Sequence, residues 1–510
     1  MAQLTDHVLH SAAGRFDATT DSKTADVKRI VDLALAAKRP HGLLLHFHGG
    51  LIGKKSGLEI ATKLLPRYEA AGTYPIFFVW ESGLLESLTN NKDDIARDPA
   101  FRELIKKSTE WVLKRAGSSF GLKGGAGQAV DVDKLRREYD EYFDRLRPSP
   151  PVDDDAISDE KVVTRGADDI SLDALAQDIE DGLDNDPQFK DAFEQAYNAT
   201  LPPNEVVTRG AGTRVRAEKV LLSEEAKREM FGADAGVMTR GFLSWFAIAR
   251  FVAKIVLAVL KRYRGHRDHG AYCTIVEEVL RIAYADLIGS TIWNQMKQDT
   301  LDSFQTGADF CGTAVVEHLK RLESEGATFP QITLVGHSTG AIYICHFLEA
   351  ARKVDLKTPI KVVFLAPALT HTLFAEAIRN HGQSSRMSAF RMFAMSDELE
   401  CKDKLLGVVY TRSLLYFVSG LLEGEQQDGK WQALIDMPIG GMQRYLLEAT
   451  FGSGEFEDVG EVSRYFKARD GRVVWSPSSA GAGFNSNADS HGGFDDDDAT
   501  LESVSVFIGG

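Results

Sequence analysis

The stretch Gln331–Lys353, QITLVGHSTGAIYICHFLEAARK, decides the fold. Its first five residues are β-prone and apolar, its last thirteen carry apolar residues at helical spacing, and Gly336-His337-Ser338-Thr339-Gly340 stands between them. A strand that turns sharply into a helix with glycines two residues either side of a serine is a G-x-S-x-G turn, which holds the hydroxyl at the strand's end. The chain has 45 glycines, so the pattern alone is weak. It also occurs at Gly117-Ser118-Ser119-Phe120-Gly121, but there a helix-like stretch, ELIKKSTEWVLKRA, precedes it and more glycines follow. Context therefore selects Ser338.

Working outward, Gly42–Gly50 (GLLLHFHGG), a helical stretch Leu58–Ala70 and Pro75–Ser82 (PIFFVWES) read as a β-α-β unit. Continuous apolar strands are what a parallel sheet covered on both faces requires. The alternation resumes with helix Asp302–Glu323, strand Gln331–Val335, helix Thr339–Lys353 and strands Ile360–Leu365 and Ala389–Met395. The pattern predicts an α/β fold, a mostly parallel sheet with helices on both faces, carried by residues 1–83 and 301–510. Residues 84–300 read as a large, mainly helical, partly disordered insertion, or lid, before the nucleophile strand. Its glycine-rich stretch Gly117–Gly127 and its Pro/Asp run Pro148–Glu160 are the parts a compact core would not use.

A serine hydroxyl needs a base to take its proton, and the anion formed on the substrate needs backbone donors. The glycines of His48-Gly49-Gly50-Leu51 let N–H groups approach such an anion, with Thr339 N–H as a further donor. The expected oxyanion hole is Gly49, Gly50, Leu51 and Thr339. The strand AFRMFAM runs straight into Ser396-Asp397-Glu398, which makes Asp397 the expected acid, with Glu398 and Glu400 as alternatives. The polar loop Asn487–Phe494 (NADSHGGF), ahead of a further element at Ala499–Phe507, offers His491 as the base. His46, His337, His346 and His371 read as packed or capping histidines. Asp495–Asp498 reads as a solvated charge run that favours the start of the last element.

In these motifs and in the order Ser338, Asp397, His491, the chain resembles the α/β-hydrolase-fold serine hydrolases, the esterases and lipases. The likeness covers about 39–82 and 301–510 and reaches no narrower family. It departs from many lipases in placing its large insertion before the nucleophile strand, and few strands precede GLLLHFHGG. The resemblance implies a Ser-His-Asp triad, a covalent acyl-enzyme and an ester substrate, lipid or lipid-like esters ranking first, with no cofactor and no metal. The alternative is a catalytically inactive hydrolase-fold scaffold whose insertion binds a protein partner.

Three copies of one word lie in the insertion: VVTRGA at Val162–Ala167, VVTRGA at Val206–Ala211 and VMTRG at Val237–Gly241. Their unequal spacing excludes a solenoid repeat. A short word copied into small-residue loops, each with Arg before Gly, suits recognition by one Arg-specific protease, with cleavage after Arg165, Arg209 and Arg240. By analogy with bacterial defence cascades this suggests a hydrolase restrained until cut; the other reading is linker duplication.

Phe242–Leu260, FLSWFAIARFVAKIVLAVL, has the length of a membrane span, but Arg250 and Lys254 would be costly there. They share one face at i and i+4, so an amphipathic helix is expected, packed on the protein's own apolar surface or, in the sharper reading, touching lipid. Composition fits these readings. In 510 residues, 44% are hydrophobic, as in globular domains, and 59 Lys plus Arg against 74 Asp plus Glu leave a net charge of −15, which disfavours nucleic acid as a partner. Met1–His10 lacks the basic start and apolar run of an export signal. Cys273, Cys311, Cys345 and Cys401 lie far apart without zinc-ligand spacing, so a cytoplasmic protein with reduced thiols is expected.

Overall fold

The structure, a computed structural model, describes residues 3–50, 52–80, 94–117, 171–200, 220–232, 243–287, 289–407, 409–427, 430–433, 436–447, 451 and 456–510. It divides into two compact units. The first comprises Met1–Ser87, Gly289–Leu405 and Arg412–Gly510; the second comprises Leu88–Ile288 and Leu406–Thr411. The expected boundary at 300 cuts the helix Ser290–Asp302, which belongs to the first unit.

The first unit is built on a seven-stranded, all-parallel sheet: β1 Val8–Ser11, β2 Leu43–Phe47, β3 Tyr74–Trp80, β4 Ile332–His337, β5 Ile360–Leu365, β6 Ala389–Met395 and β7 Val473–Ser476, in the order β1-β3-β2-β4-β5-β6-β7. The period-two alternation of strands assigns each side chain to a face. Leu43, Leu45 and Phe47 of β2, Ile332 and Leu334 of β4, and Ile360, Val362 and Phe364 of β5 enter one core. That core also holds Val27 and Ile30 of the helix Thr24–Ala36 and Ile344, Phe347 and Leu348 of the helix Gly340–Lys353. Leu44, Val335, Val363 and Leu365 enter the opposite core, with Ala61, Leu64 and Tyr68 of the helix Lys54–Ala70 and Leu501, Val504 and Ile508 of the helix Asp498–Gly509. Both faces are thus dry, as the unbroken apolar runs require.

This arrangement locates the crevice. The helix that follows β2 covers one face and the helix that follows β4 covers the other, although β2 and β4 are hydrogen-bonded neighbours. Where connections part in this way, the loops at the carboxyl ends of the two strands leave a cleft between them. His48–Gly50 follows β2 and Ser338 follows β4, so the two motifs meet there.

Some expected elements differ. The single helix expected over Asp302–Glu323 begins only at Cys311, the turn before it being closed by Gly312 N–H donating to Ser303 Oγ at 2.9 Å. Strand β7 was not anticipated: four residues, VVWS, with only alternate positions buried, are too short to stand out by periodicity. The four cysteines form no disulfide.

The second unit is helical among the described residues, with the helix Trp245–Arg264 at its centre. Ile248, Phe251, Val252, Ile255, Val256 and Val259 are fully buried, while Arg250 Nε meets Asp173 Oδ1 at 2.8 Å and Lys254 Nζ meets Glu229 Oε2 at 2.9 Å on the exposed face. The apolar face is therefore packed inside this unit. Among the described residues no helix is long and apolar enough to cross a membrane. Tyr410, on the short excursion Leu406–Thr411, donates to Glu277 Oε1 at 2.5 Å within this unit.

The elbow glycines give a stability test. A Cβ on Gly340 would stand 2.2 Å from the Phe47 carbonyl oxygen, a rigid backbone atom of β2. Gly340→Ala is expected to destabilise the first unit by about 1–3 kcal/mol, read as an earlier urea midpoint; Gly182→Ala, at a helical glycine of the helix Leu172–Leu183 whose Cβ meets nothing within 4 Å, controls for the backbone effect of losing a glycine.

Candidate active site

Ser338 adopts φ 53°, a left-handed conformation rare for a residue with a side chain. The turn is held from several sides. Ser338 N–H donates to Leu365 O at 2.9 Å, and Ser338 O accepts from Ala341 N at 3.2 Å and Ala368 N at 3.1 Å. Gly336 and Gly340 fit because nothing larger would: a Cβ on Gly336 would lie 2.7 Å from Gly340 backbone atoms. The strained serine is thus fixed by its neighbours, as functional backbone strain requires.

His491 Nε2 lies 2.9 Å from Ser338 Oγ, so the structure brings together the expected nucleophile and base. Ser338 is 2% exposed and His491 6%. Burial opposes the charged imidazole and the neighbouring His337 adds to that, so the His491 pKa falls to about 3 despite the Asp495 carboxylate. The ring is neutral at pH 7.

Asp397 is not at this histidine. Its Oδ1 accepts from Tyr416 O–H at 2.7 Å, and its N–H is taken by Gln443 Oε1 at 3.0 Å. Glu398 is exposed and pairs with Lys402 at 2.5 Å; Glu400 is buried against Ser413, its carboxyl pushed well above the usual range by desolvation. The carboxylate that touches His491 is Asp403, whose Oδ2 accepts the His491 backbone N–H at 3.0 Å. The physical reason is geometric: the chain leaving β6 first makes a single helical turn, Asp397–Glu400, pointing those carboxylates elsewhere, and only the following residues pass the His491 loop. Nδ1 of His491 is buried and makes no hydrogen bond among the described residues, which leaves it open to the same carboxylate.

A second pair that sequence reading treated as packing and solvation sits beneath the base. His337 Nδ1 meets Asp495 Oδ2 at 2.7 Å and its Nε2 meets the His491 carbonyl oxygen at 2.9 Å. Both partners are acceptors, so both ring nitrogens carry protons and His337 is an imidazolium. Burial works against that charge, but the Asp495 carboxylate overcomes it and the His337 pKa is raised. Its ring stacks on His491 with centroids 5.4 Å apart. The acidic run is divided by role: Asp495 is buried under His337, Asp496 and Asp498 pair with Lys63 and Arg67, and Asp497 caps the last helix by accepting from Thr500 N at 2.9 Å. Nothing in the one-dimensional run marks Asp495 as the inward residue.

Gly49 and Gly50 lie directly over the elbow. A Cβ on Gly49 would be 3.2 Å from Ser338 Cβ, and one on Gly50 would be 2.5 Å from Thr339 Oγ1. His48 Nε2 accepts the Trp80 N–H at 3.1 Å, so its proton is on Nδ1, which donates to Gly49 O at 2.7 Å. That holds one side of the Gly49–Gly50 peptide, and in a trans peptide the Gly50 N–H then faces the other way. Thr339 Oγ1 is buried with no hydrogen-bond partner among the described residues. Leu51 lies outside the described residues, as do Arg165, Arg209 and Arg240. Among the described residues no group of three or more His, Cys, Asp or Glu is arranged to hold a metal ion.

The fold and site define a parallel α/β protein with a serine-histidine pair on a left-handed elbow. No protein-family model, curated protein or solved structure matches the chain.

Two measurements follow from these charges. In 15N-imidazole NMR, His491 is expected to stay neutral down to about pH 4, and in His337→Gln to titrate at higher pH, because a neighbouring cation is lost and Asp495 is freed; an unchanged His491 titration would separate the two rings electrically. For stability, His46 and His48 (about 4) and His371 and His491 (about 3) are all depressed by burial. Unfolded histidines take protons near 6.5 while these do not, so the unfolded state binds more protons below that pH. Unfolding free energy should fall by about 1.4 kcal/mol per pH unit for each such group from about pH 6.5 to 4, measured by urea titration; His337, raised, works in the opposite direction.

Proposed function

We propose that the chain is a serine hydrolase of the α/β-hydrolase fold that cleaves carboxylic esters. The observation that carries this reading is the 2.9 Å approach of His491 Nε2 to Ser338 Oγ on a left-handed elbow at the sheet's crevice. Ser338 Oγ attacks the ester carbonyl carbon while His491 Nε2 takes its proton. The oxyanion is held by backbone N–H groups of the His48–Leu51 loop and of Thr339, with the Thr339 hydroxyl, buried beside Gly50, as an added donor. Collapse breaks the C–O bond, and His491 returns its proton to the leaving alcohol. Water, deprotonated by His491, then attacks the acyl-enzyme, and the carboxylic acid leaves as the proton returns to Ser338. Asp403 takes the role of the acid: it already fixes the His491 backbone, and its carboxylate would meet Nδ1–H as the imidazolium forms.

Lipid or lipid-like esters rank first as substrates by the resemblance to esterases and lipases; the amphipathic helix Trp245–Arg264 adds nothing to that ranking, because its apolar face is packed within the second unit. The three Val-x-Thr-Arg-Gly words support a further feature, restraint until an Arg-specific protease cuts after Arg165, Arg209 and Arg240. A catalytically inactive scaffold has one observation in its favour, the unpartnered Nδ1 of His491.

Reaction with a fluorophosphonate probe, before and after Arg-specific proteolysis, tests the reading. Labelling is expected at Ser338, to be abolished in Ser338→Ala, to fall by about 10²–10⁴ in rate in Asp403→Asn, and to change only a few-fold in Asp397→Asn. Labelling only after cutting establishes restraint. No labelling in either form favours the scaffold, and equal loss in both Asp variants would remove Asp403 from its role.

A further inference from the structure

At the other end of the sheet from Ser338, the first residues of β6 and the approach to β7 border a cleft of about 470 Å³. The volume lies within the range of small-ligand pockets. Three arginines line it, Arg391, Arg469 and Arg472, with Gln383 and Ser384 beside them. None of the three arginines pairs with a carboxylate among the described residues, in a chain with 74 acidic side chains against 59 basic ones. The single acidic residue of the lining is Asp470.

The arginines are pre-positioned. Arg391 donates from Nε to Gly471 O at 3.0 Å and from Nη1 to Gly483 O at 2.7 Å, and its guanidinium stacks on Phe484 at 4.0 Å and Phe507 at 4.9 Å. Arg472 lies 3.7 Å over the Tyr465 ring and donates from Nη1 to Tyr465 O at 2.5 Å. Stacking uses the faces of these groups and leaves most of their in-plane N–H donors at the edges. Arg469 adds an exposed cation. Burial and the nearby Arg469 charge lower the Arg391 pKa, so the cluster stores like-charge repulsion that an anion would relieve.

We infer that this cleft binds a small soluble molecule through a phosphate or pyrophosphate group. Three arginines around one cleft match a group that offers several oxygens and about two negative charges, where a monocarboxylate offers two oxygens and one charge. The cleft is separated from Ser338 by the length of a strand, on the order of 20 Å, so the inference stands apart from the hydrolase reading.

Isothermal titration of the full chain with sodium pyrophosphate, with inorganic phosphate, with vesicles of phosphatidylcholine containing phosphatidic acid, and with acetate as control tests it. Pyrophosphate should bind and acetate should not, and affinity should weaken by about tenfold or more in Arg469→Gln and in Arg472→Gln. Arg391 is left intact because it also ties two loops. Arg469→Gln, exposed and without a partner, should keep the wild-type melting temperature and the wild-type response to the fluorophosphonate probe, so failure at this cleft is read separately from failure at Ser338. No pyrophosphate binding, or equal binding in both variants, overturns the inference. Binding only to vesicles of phosphatidylcholine containing phosphatidic acid overturns the soluble ligand and assigns the cleft to a lipid surface.

Discussion

The first unit depends on a close approach between the elbow and its neighbouring strand. Gly340 lies against the Phe47 carbonyl so tightly that no Cβ fits, and Gly336 lies against Gly340 in the same way. That contact brings the carboxyl ends of β2 and β4 together, fixes Ser338 in its left-handed conformation and lays Gly49 over the serine. A loop turning away after β2 and a helix turning away after β4, to opposite faces, complete the cleft. The chemistry of the site is therefore a consequence of close packing between two neighbouring parallel strands.

A second constraint acts on the base. The peptide groups around His491 are gripped from both sides, the N–H by Asp403 and the carbonyl by His337, which Asp495 in turn holds. With its backbone fixed at both groups, the imidazole has little freedom beyond its own side-chain torsions, and Nε2 rests on the serine hydroxyl. The same arrangement sets the charge. His337, whose pKa is raised by the buried Asp495 carboxylate, sits against a ring that burial keeps neutral. The two histidines have opposite protonation because one faces two acceptors and the other faces a hydroxyl.

Local chemistry made part of this legible in one dimension. The elbow, the HGG loop and five of the seven strands lie in continuous apolar runs punctuated by glycine, and such patterns are short-range. Ser338 and His491 could be paired because each sits in a distinctive local context. The carboxylate could not be placed this way. Asp397, Glu398, Glu400 and Asp403 fall within seven residues, and which of them meets His491 depends on one helical turn and on a loop 88 residues away. Likewise Asp495 and Asp496 are chemically identical neighbours, one buried under a histidine and one on the surface with Lys63. A residue's direction at the end of an irregular loop is set by tertiary contacts, which a sequence pattern does not encode.

The net charge of −15 shows how little a global sum says about local sites. Near the serine the chain sets the buried His337 against the buried Asp495, so the field there is set within a few ångströms by a hydrogen-bonded partner. At the far end of β6 it does the reverse and gathers three arginines without an ion-paired acid. Gathering like charge opposes folding, and stacking on aromatic rings offsets only part of that cost. A stable fold that keeps such a cluster beside an open cleft holds cationic groups around the position that the proposed anion would take. The parallel sheet thus separates two kinds of electrostatics at its two ends, one compensated within a buried pair and one left positive.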